Sequence, residues 1–183
     1  MYRISELIKS DRKIFHTNDL AVLWNIDKRQ SLYTLLSRYV DRGILNSIYK
    51  GLYSVVPVSD LDPLDLGRAI IHRYTYLTTE SVLAQAGAIS QPAYVYTFAS
   101  DQSKQITIGE RSFRFRQLKD AYLHNPAGIE MRGQAFIASP ERAAADMLYF
   151  NPKFHFDVPE VVDFGKLKLL QEQIGYPHAG SQA

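Results

Sequence analysis

Lys28-Arg29-Gln30-Ser31, then Tyr33, Thr34 and Arg38, and further on Lys50, are the side chains best equipped for chemistry in this sequence. The chemistry they suit is recognition of DNA. An arginine can donate two parallel N–H groups to guanine O6 and N7, and a glutamine can pair with adenine. Arg29 and Gln30 suit those roles. Ser31 and Thr34 can reach phosphates or bases, and Tyr33 can pack or stack. Lys28, Arg38 and Lys50 supply positive charge, whose pairing with phosphates releases counterions and makes binding salt-dependent.

These residues need a helix that presents its first turn and a hairpin beside it. The spacing supplies both. Leu32, Leu35, Leu36, Tyr39 and Val40 recur at the 3, 4, 3, 4 interval of a core stripe, which predicts a helix from about Lys28 to Arg42. Its other face carries Lys28, Arg29, Tyr33, Thr34, Ser37 and Arg38. Asp27, with Gln30 three residues on, is the expected N-cap, and Gly43 the left-handed stop. Upstream, Ile4, Leu7 and Ile8 mark a first helix over residues 3–10, and Ile14-Phe15 a minimal strand. Thr17 is the expected cap of a helix through Leu20, Leu23 and Trp24. Downstream, Lys50-Gly51 separates two β-prone runs and predicts a hairpin with a basic tip. That order is a winged helix-turn-helix, a unit that places a helix in the DNA major groove.

Charge follows the same division. Residues 1–59 hold nine Lys+Arg and five Asp+Glu, a net +4, whereas residues 60–183 are at −2. Only the first third is expected to meet a polyanion. Asp60-Leu61-Asp62-Pro63 is the expected boundary, dividing the chain into a DNA-binding domain at 1–59 and a second domain at 60–183. In the second, Asp62 caps a helix to about Arg73, and another helix follows Thr78-Thr79 and ends at Gly87. Strands are expected over 93–99, 105–108, 112–118, 129–131 and 134–138, then helices from Ser139-Pro140 to about Tyr149 and over 166–174, with a frayed tail from His178. The fold class is therefore α+β, with a winged helix-turn-helix followed by a mixed helix and antiparallel-strand domain.

The second domain shows no catalytic pattern. Asp146, Asp157, Glu160 and Asp163 are its acidic candidates for a metal-dependent nuclease, but no Glu-x-Lys accompanies a suitable Asp. Asp157 to Asp163 reads as a solvated connector, and Asp146 as a structural acceptor for a neighbouring loop. His72, His124 and His155 lack metal-ligand spacing. There are no cysteines, no phosphate-binding glycine loop and no Gly-x-Ser-x-Gly elbow. No catalysis, metal or cofactor is expected. Arg114 and Arg116 alternate with Phe113 and Phe115, so both arginines share one side of a strand, with phenylalanines toward the core. No run approaches the roughly 18 apolar residues of a membrane span, and the N-terminus lacks a signal-peptide core, so a cytoplasmic location is expected.

Three segments carry a family resemblance. They are Phe15-His16-Thr17-Asn18-Asp19-Leu20, Leu35 through Leu45, and Lys50-Gly51-Leu52-Tyr53-Ser54-Val55. Together with Tyr76 through Leu83 and Ile137 through Asp146, they resemble the AbiEi-type antitoxins of type IV abortive-infection toxin–antitoxin systems, over about residues 15 to 150. The resemblance implies an autorepressor that binds inverted repeats in double-stranded DNA at its own promoter; a single winged helix of this modest charge is in addition expected to bind specifically as a homodimer or pair of copies on repeated half-sites. It also implies a C-terminal domain that counteracts a nucleotidyltransferase-like toxin from the same operon, without a stable complex. The residues by themselves leave two other readings open: a winged-helix regulator whose second domain senses a ligand or protein, and a nuclease-like domain delivered by the winged helix.

Overall fold

The computed structural model describes residues 2–177, so the expected tail from His178 lies outside the described residues. Its contacts divide the chain into two compact units, residues 1–70 and 71–183. The division falls after Ile70 and not at the expected 59/60. The acidic stretch is not a loose linker. A 3-10 turn at Val58–Asp60 runs through buried Leu61 straight into helix Pro63–Ile71. Asp62 caps that helix as expected, accepting the Leu64 amide at 2.7 Å.

The first unit contains α1 (Tyr2–Lys9), β1 (Ile14–His16), α2 (Thr17–Leu23), α3 (Arg29–Asp41), β2 (Asn46–Tyr49), β3 (Leu52–Ser54) and α4 (Pro63–Ile71), the last of which ends at the division. The three strands form an antiparallel sheet in the order β1-β3-β2, so Tyr53 stands opposite both Phe15 and Ser47. Leu32, Leu36 and Tyr39 of α3 are buried with Leu7, Phe15, Leu20, Trp24 and Leu45. Leu35 and Val40 pack against that core, so the apolar stripe faces inward as its spacing requires. Trp24 meets Tyr39 edge to face at 5.5 Å and donates its indole N–H to the Arg3 carbonyl at 3.1 Å, leaving no buried donor unmet there. Gly43, at φ +67, ends α3 while the Ile44 amide reaches back to the Tyr39 carbonyl at 2.8 Å, the expected left-handed stop.

Two expected caps are corrected. Thr17 is the first residue of α2 and not its cap. Its hydroxyl donates to the Gly51 carbonyl at 3.2 Å and its amide donates to the same oxygen at 2.8 Å, so Thr17 ties α2 to the β2–β3 turn. Asp19 serves the α2 start by accepting the His16 amide at 3.2 Å and Arg12 at 2.8 Å. Asp27 does not cap α3 either. The helix starts one residue later than that placement needs, with Lys28 at the cap position and no side-chain cap bond.

The second unit contains β4 (Tyr76–Leu77), α5 (Glu80–Ala86), β5 (Val95–Ser100), β6 (Lys104–Ile108), β7 (Arg111–Gln117), α6 (Asp120–Leu123), β8 (Ile129–Arg132), β9 (Ala135–Ala138), α7 (Pro140–Phe150) and α8 (Phe164–Ile174). Six strands make one sheet in the order β6-β7-β5-β4-β9-β8. The chain is thus α+β, but the second sheet is not wholly antiparallel. β5 pairs with β7, and β4 with β9, in parallel. The hairpins β6–β7 and β8–β9 are antiparallel as their turns predict. The parallel pairs arise because β7 inserts between β6 and β5, and because β9 returns to the short β4 across a long connection. Phe113 and Phe115 are buried, stacking on Tyr96 and Phe98.

Gly128 admits the chain between α6 and β8 to the side of α7. It sits at φ +71, and a Cβ there would lie 2.8 Å from the Arg142 Cβ and 3.2 Å from Leu170 Cδ1. Gly128→Ala combines a left-handed backbone with overpacking, so a loss of about 2–4 kcal/mol in unfolding free energy is expected in denaturant melts.

Candidate functional site

The sequence-derived residues separate by neighbourhood in the structure. Lys28, at the cap position, and Arg29, Gln30, Ser31, Tyr33, Thr34 and Arg38 on α3 are all exposed, and Lys50 is exposed in the turn between β2 and β3. α3 presents them because its other side is held by Leu32, Leu36 and Tyr39. Among the described residues, Lys28, Arg29, Arg38 and Lys50 form no ion pair, whereas Arg12 in the same unit is engaged by Asp19. Tyr33 is half exposed and lies near Tyr53, whose hydroxyl is pushed above its ordinary value by burial and by the Tyr33 phenol. Thr34 is less available than its residue type implies. Its hydroxyl donates to the Gln30 carbonyl one turn back at 2.9 Å, so that proton is not offered to a phosphate. α3 and the hairpin turn therefore form a basic, donor-rich surface with unmatched charge.

The second unit holds a different arrangement, centred on Arg142 and Asp146 of α7, both with no solvent exposure. The Arg142 Nε donates to Asp146 Oδ1 at 2.9 Å. Nη1 donates to the Asn125 and Ala127 carbonyls at 2.9 and 2.7 Å, and Nη2 to the Tyr76 hydroxyl and the Tyr122 carbonyl at 2.7 and 2.9 Å. All five guanidinium donors thus have an acceptor. Asp146 accepts in addition from the Tyr76 hydroxyl at 3.0 Å, the Thr78 hydroxyl at 2.7 Å and the Tyr176 hydroxyl at 2.5 Å. Asp146 was expected to hold a neighbouring loop. It does so through the hydroxyls of Thr78, just after β4, and Tyr176, just after α8, while Arg142 bonds the loop carbonyls. Burial alone would favour a neutral guanidinium, but the Asp146 charge and hydrogen bond, together with the Tyr76 and Tyr176 oxygens, outweigh it and hold the Arg142 pKa above its ordinary value. Burial and the Asp146 charge push the Tyr76 and Tyr176 hydroxyls well above the usual phenol range.

Nothing in this centre is open to a substrate. The other acidic candidates are not gathered either. Asp157 accepts the Ser90 amide, Asp163 caps α8, and the described residues contain no metal-holding cluster of His, Cys, Asp or Glu. Among the described residues no helix is long and apolar enough to cross a membrane.

Sequence reasoning did not find the Arg142 network as a unit. The one local signal was Arg142 and Asp146 four apart on an expected helix. Glu80 was also missed. It pairs with Arg116 at 2.5 Å, although Arg116 lies 36 positions away in the sequence.

No protein-family model and no curated protein matches the chain. In fold it is similar to the crystal structure of the RV2827C protein from Mycobacterium tuberculosis, with a TM-score of 0.57 and 15% identity over 95% of this chain and 70% of that one. At that identity the likeness concerns the fold alone.

The buried centre sets the alkaline stability. The folded-state values of Tyr76 and Tyr176 lie above the ordinary 10.0, so folding favours the protonated phenols. Their contribution is complete below about pH 10 and is lost as pH rises past it. Phenolate absorbance should show two of the 12 tyrosines resisting titration until the chain unfolds. Asp146→Asn leaves a buried guanidinium without its counter-charge and is expected to cost about 3–5 kcal/mol in denaturant unfolding. Tyr176→Phe removes one bond to a charged acceptor and should cost about 1.5–3 kcal/mol.

Proposed function

We propose that this protein is a DNA-binding autorepressor and antitoxin of the AbiEi type, its first unit a winged helix-turn-helix. The observation that carries the DNA-binding part is the first turn of α3. Lys28, Arg29, Gln30 and Ser31 stand exposed there, and neither cation is paired among the described residues. The order of helices and strands, the β1-β3-β2 sheet and the exposed Lys50 in the hairpin turn support the same reading.

In this reading α3 enters the major groove by its N-terminal end. Arg29 addresses guanine O6 and N7, Gln30 addresses adenine, and Ser31 donates to a phosphate. Lys28, Arg38 and Lys50 neutralise phosphates on either side, with Lys50 at a flanking groove. Tyr33 packs against the sugar-phosphate backbone. Thr34 acts only as an acceptor, since its hydroxyl donates to the Gln30 carbonyl. Two copies occupy inverted repeats at the chain's own promoter. The second unit acts without catalysis against a nucleotidyltransferase-like toxin from the same operon. That last part rests on the resemblance of Tyr76 through Leu83 and Ile137 through Asp146 to the antitoxin family.

Fluorescence anisotropy on a labelled promoter fragment tests the reading. Arg29→Ala should cost about 1–3 kcal/mol against the cognate repeat and relax preference at one base position. Lys50→Ala should weaken all sequences alike and lower the salt slope by about one. Both variants replace exposed side chains and should melt like the parent. An unchanged affinity in Arg29→Ala rejects α3 as the reading helix.

A further inference from the structure

β8 is an edge of the six-stranded sheet, and among the described residues no strand pairs with its outer side. It reads Ile129-Glu130-Met131-Arg132. Glu130, Met131 and Arg132 are exposed, Met131 at 67%. An open edge presents N–H and C=O groups that template pairing with another chain. Here an acid and a base flank a large apolar side chain, and neither charge has an ion pair among the described residues.

The β8–β9 ladder decides which backbone groups are open. Ile129 stands opposite Ala138, so Gly128 stands opposite Ser139, whose amide donates to the Gly128 carbonyl at 2.8 Å. Bonded and non-bonded pairs alternate along an antiparallel ladder. Gly128, Glu130 and Arg132 therefore turn their backbone groups toward β9, and Ile129 and Met131 turn theirs outward. The Ile129 amide agrees, since it donates to the Pro126 carbonyl at 3.0 Å and not to β9. The Met131 N–H and C=O, with the Ile129 carbonyl, are left at the bare edge.

We infer that β8 is a self-association strand, which pairs antiparallel with β8 of a second copy about a two-fold axis at Met131. Each Met131 amide donates to the Met131 carbonyl of the other copy. Glu130 of each copy lies opposite Arg132 of the other, at the non-bonded positions where Cα atoms are only about 4.5 Å apart. The other registers that keep side chains on their own faces are worse. Centring on Glu130 or on Arg132 sets like charges directly opposite. Centring on Ile129 needs an amide that Pro126 already holds. On the second face Met131 stands opposite Phe136 of β9, so the pairing runs Phe136 and Met131 of one copy into the same two residues of the other as one apolar row. The far edge of the sheet offers no such match. β6 reads Lys104-Gln105-Ile106-Thr107-Ile108 and contains no acid to stand opposite its lysine. A four-residue strand buries little area, so the dimer is weak and concentration-dependent.

Sedimentation of the full-length chain over a dilution series, without DNA, tests the pairing independently of α3. A monomer–dimer equilibrium is expected. Glu130→Arg or Arg132→Glu alone should lower the association constant about tenfold, because two like-charge pairs replace two unlike ones. An equimolar mixture of those two variants should recover it, since the strands then meet with opposite charges at both positions. Both positions are exposed, so the variants should melt like the parent. The chain has no cysteine, so Met131→Cys introduces a single thiol. Oxidation should link it into a covalent dimer, because bonded antiparallel pairs hold Cα atoms at about 5.5 Å, within disulfide reach. Val22→Cys on α2, at a position 82% exposed, should stay monomeric under the same oxidation. The inference is overturned if the chain is monomeric throughout, if both charge variants leave the constant within about twofold, if their mixture recovers nothing, or if Val22→Cys links as readily as Met131→Cys.

Discussion

Removing an arginine and an aspartate from water costs several kcal/mol per ion, and the second unit is arranged around meeting that cost. Neither Arg142 nor Asp146 has any exposed surface. Their mutual attraction alone does not offset burial. The remainder comes from four hydroxyl or carbonyl partners on the guanidinium and three hydroxyl donors on the carboxylate. Those partners lie on β4, on the segment from α6 to β8, and just beyond α8, so one pair of charges fixes four separated parts of the chain. Gly128 belongs to the same constraint, because only a residue without a side chain lets the Asn125 and Ala127 carbonyls come within reach of Nη1. Replacing the pair with apolar groups would not maintain these contacts, since each partner would then be a buried polar group without an acceptor or donor.

How much of this is legible in the sequence depends on the range of the interaction. The α3 stripe, the Gly43 stop, the Asp62 cap and the two hairpins of the second unit are local, and the spacing of Leu32, Leu36 and Tyr39 or the Gly109-Glu110 turn suffices to place them. The caps at Thr17 and Asp27 were misplaced because residue type alone does not say where a helix begins. Thr17 has a partner 34 positions on, at Gly51, that a local reading does not see. The parallel pairs were invisible for the same reason. β4 has two residues, too few for a periodicity, and it is defined by its neighbours β5 and β9.

The candidate site on α3 was legible because exposure and charge follow directly from helix geometry once the apolar stripe is known. The Arg142 centre was not. Arg142 and Asp146 four apart on a helix also describes an exposed ion pair, and burial was decided by Tyr76, Thr78 and Tyr176, which lie 30 to 70 positions away from Asp146. The arginine face of β7 falls between these cases. The alternation of Arg114 and Arg116 with phenylalanines gave the sidedness, but Glu80, which decides how much of the charge is neutralised, comes from another element.

Arginine donors therefore divide the molecule by what is left for a ligand. Arg142 has every N–H matched and its charge paired, so it stabilises and offers nothing. Arg116 is held on one edge by Glu80, and Arg114 is only approached by it. Arg29 and Arg38 have no ion pair among the described residues and stand in water. Binding replaces solvent contacts at little cost for the last group, must compete with Glu80 in the second, and would dismantle the fold in the first. The same side chain thus ranges from structural anchor to available contact, and the ordering is set by neighbouring carboxylates and carbonyls more than by net charge. The +4 of residues 1–59 matters because its α3 cations are left without an ion pair among the described residues.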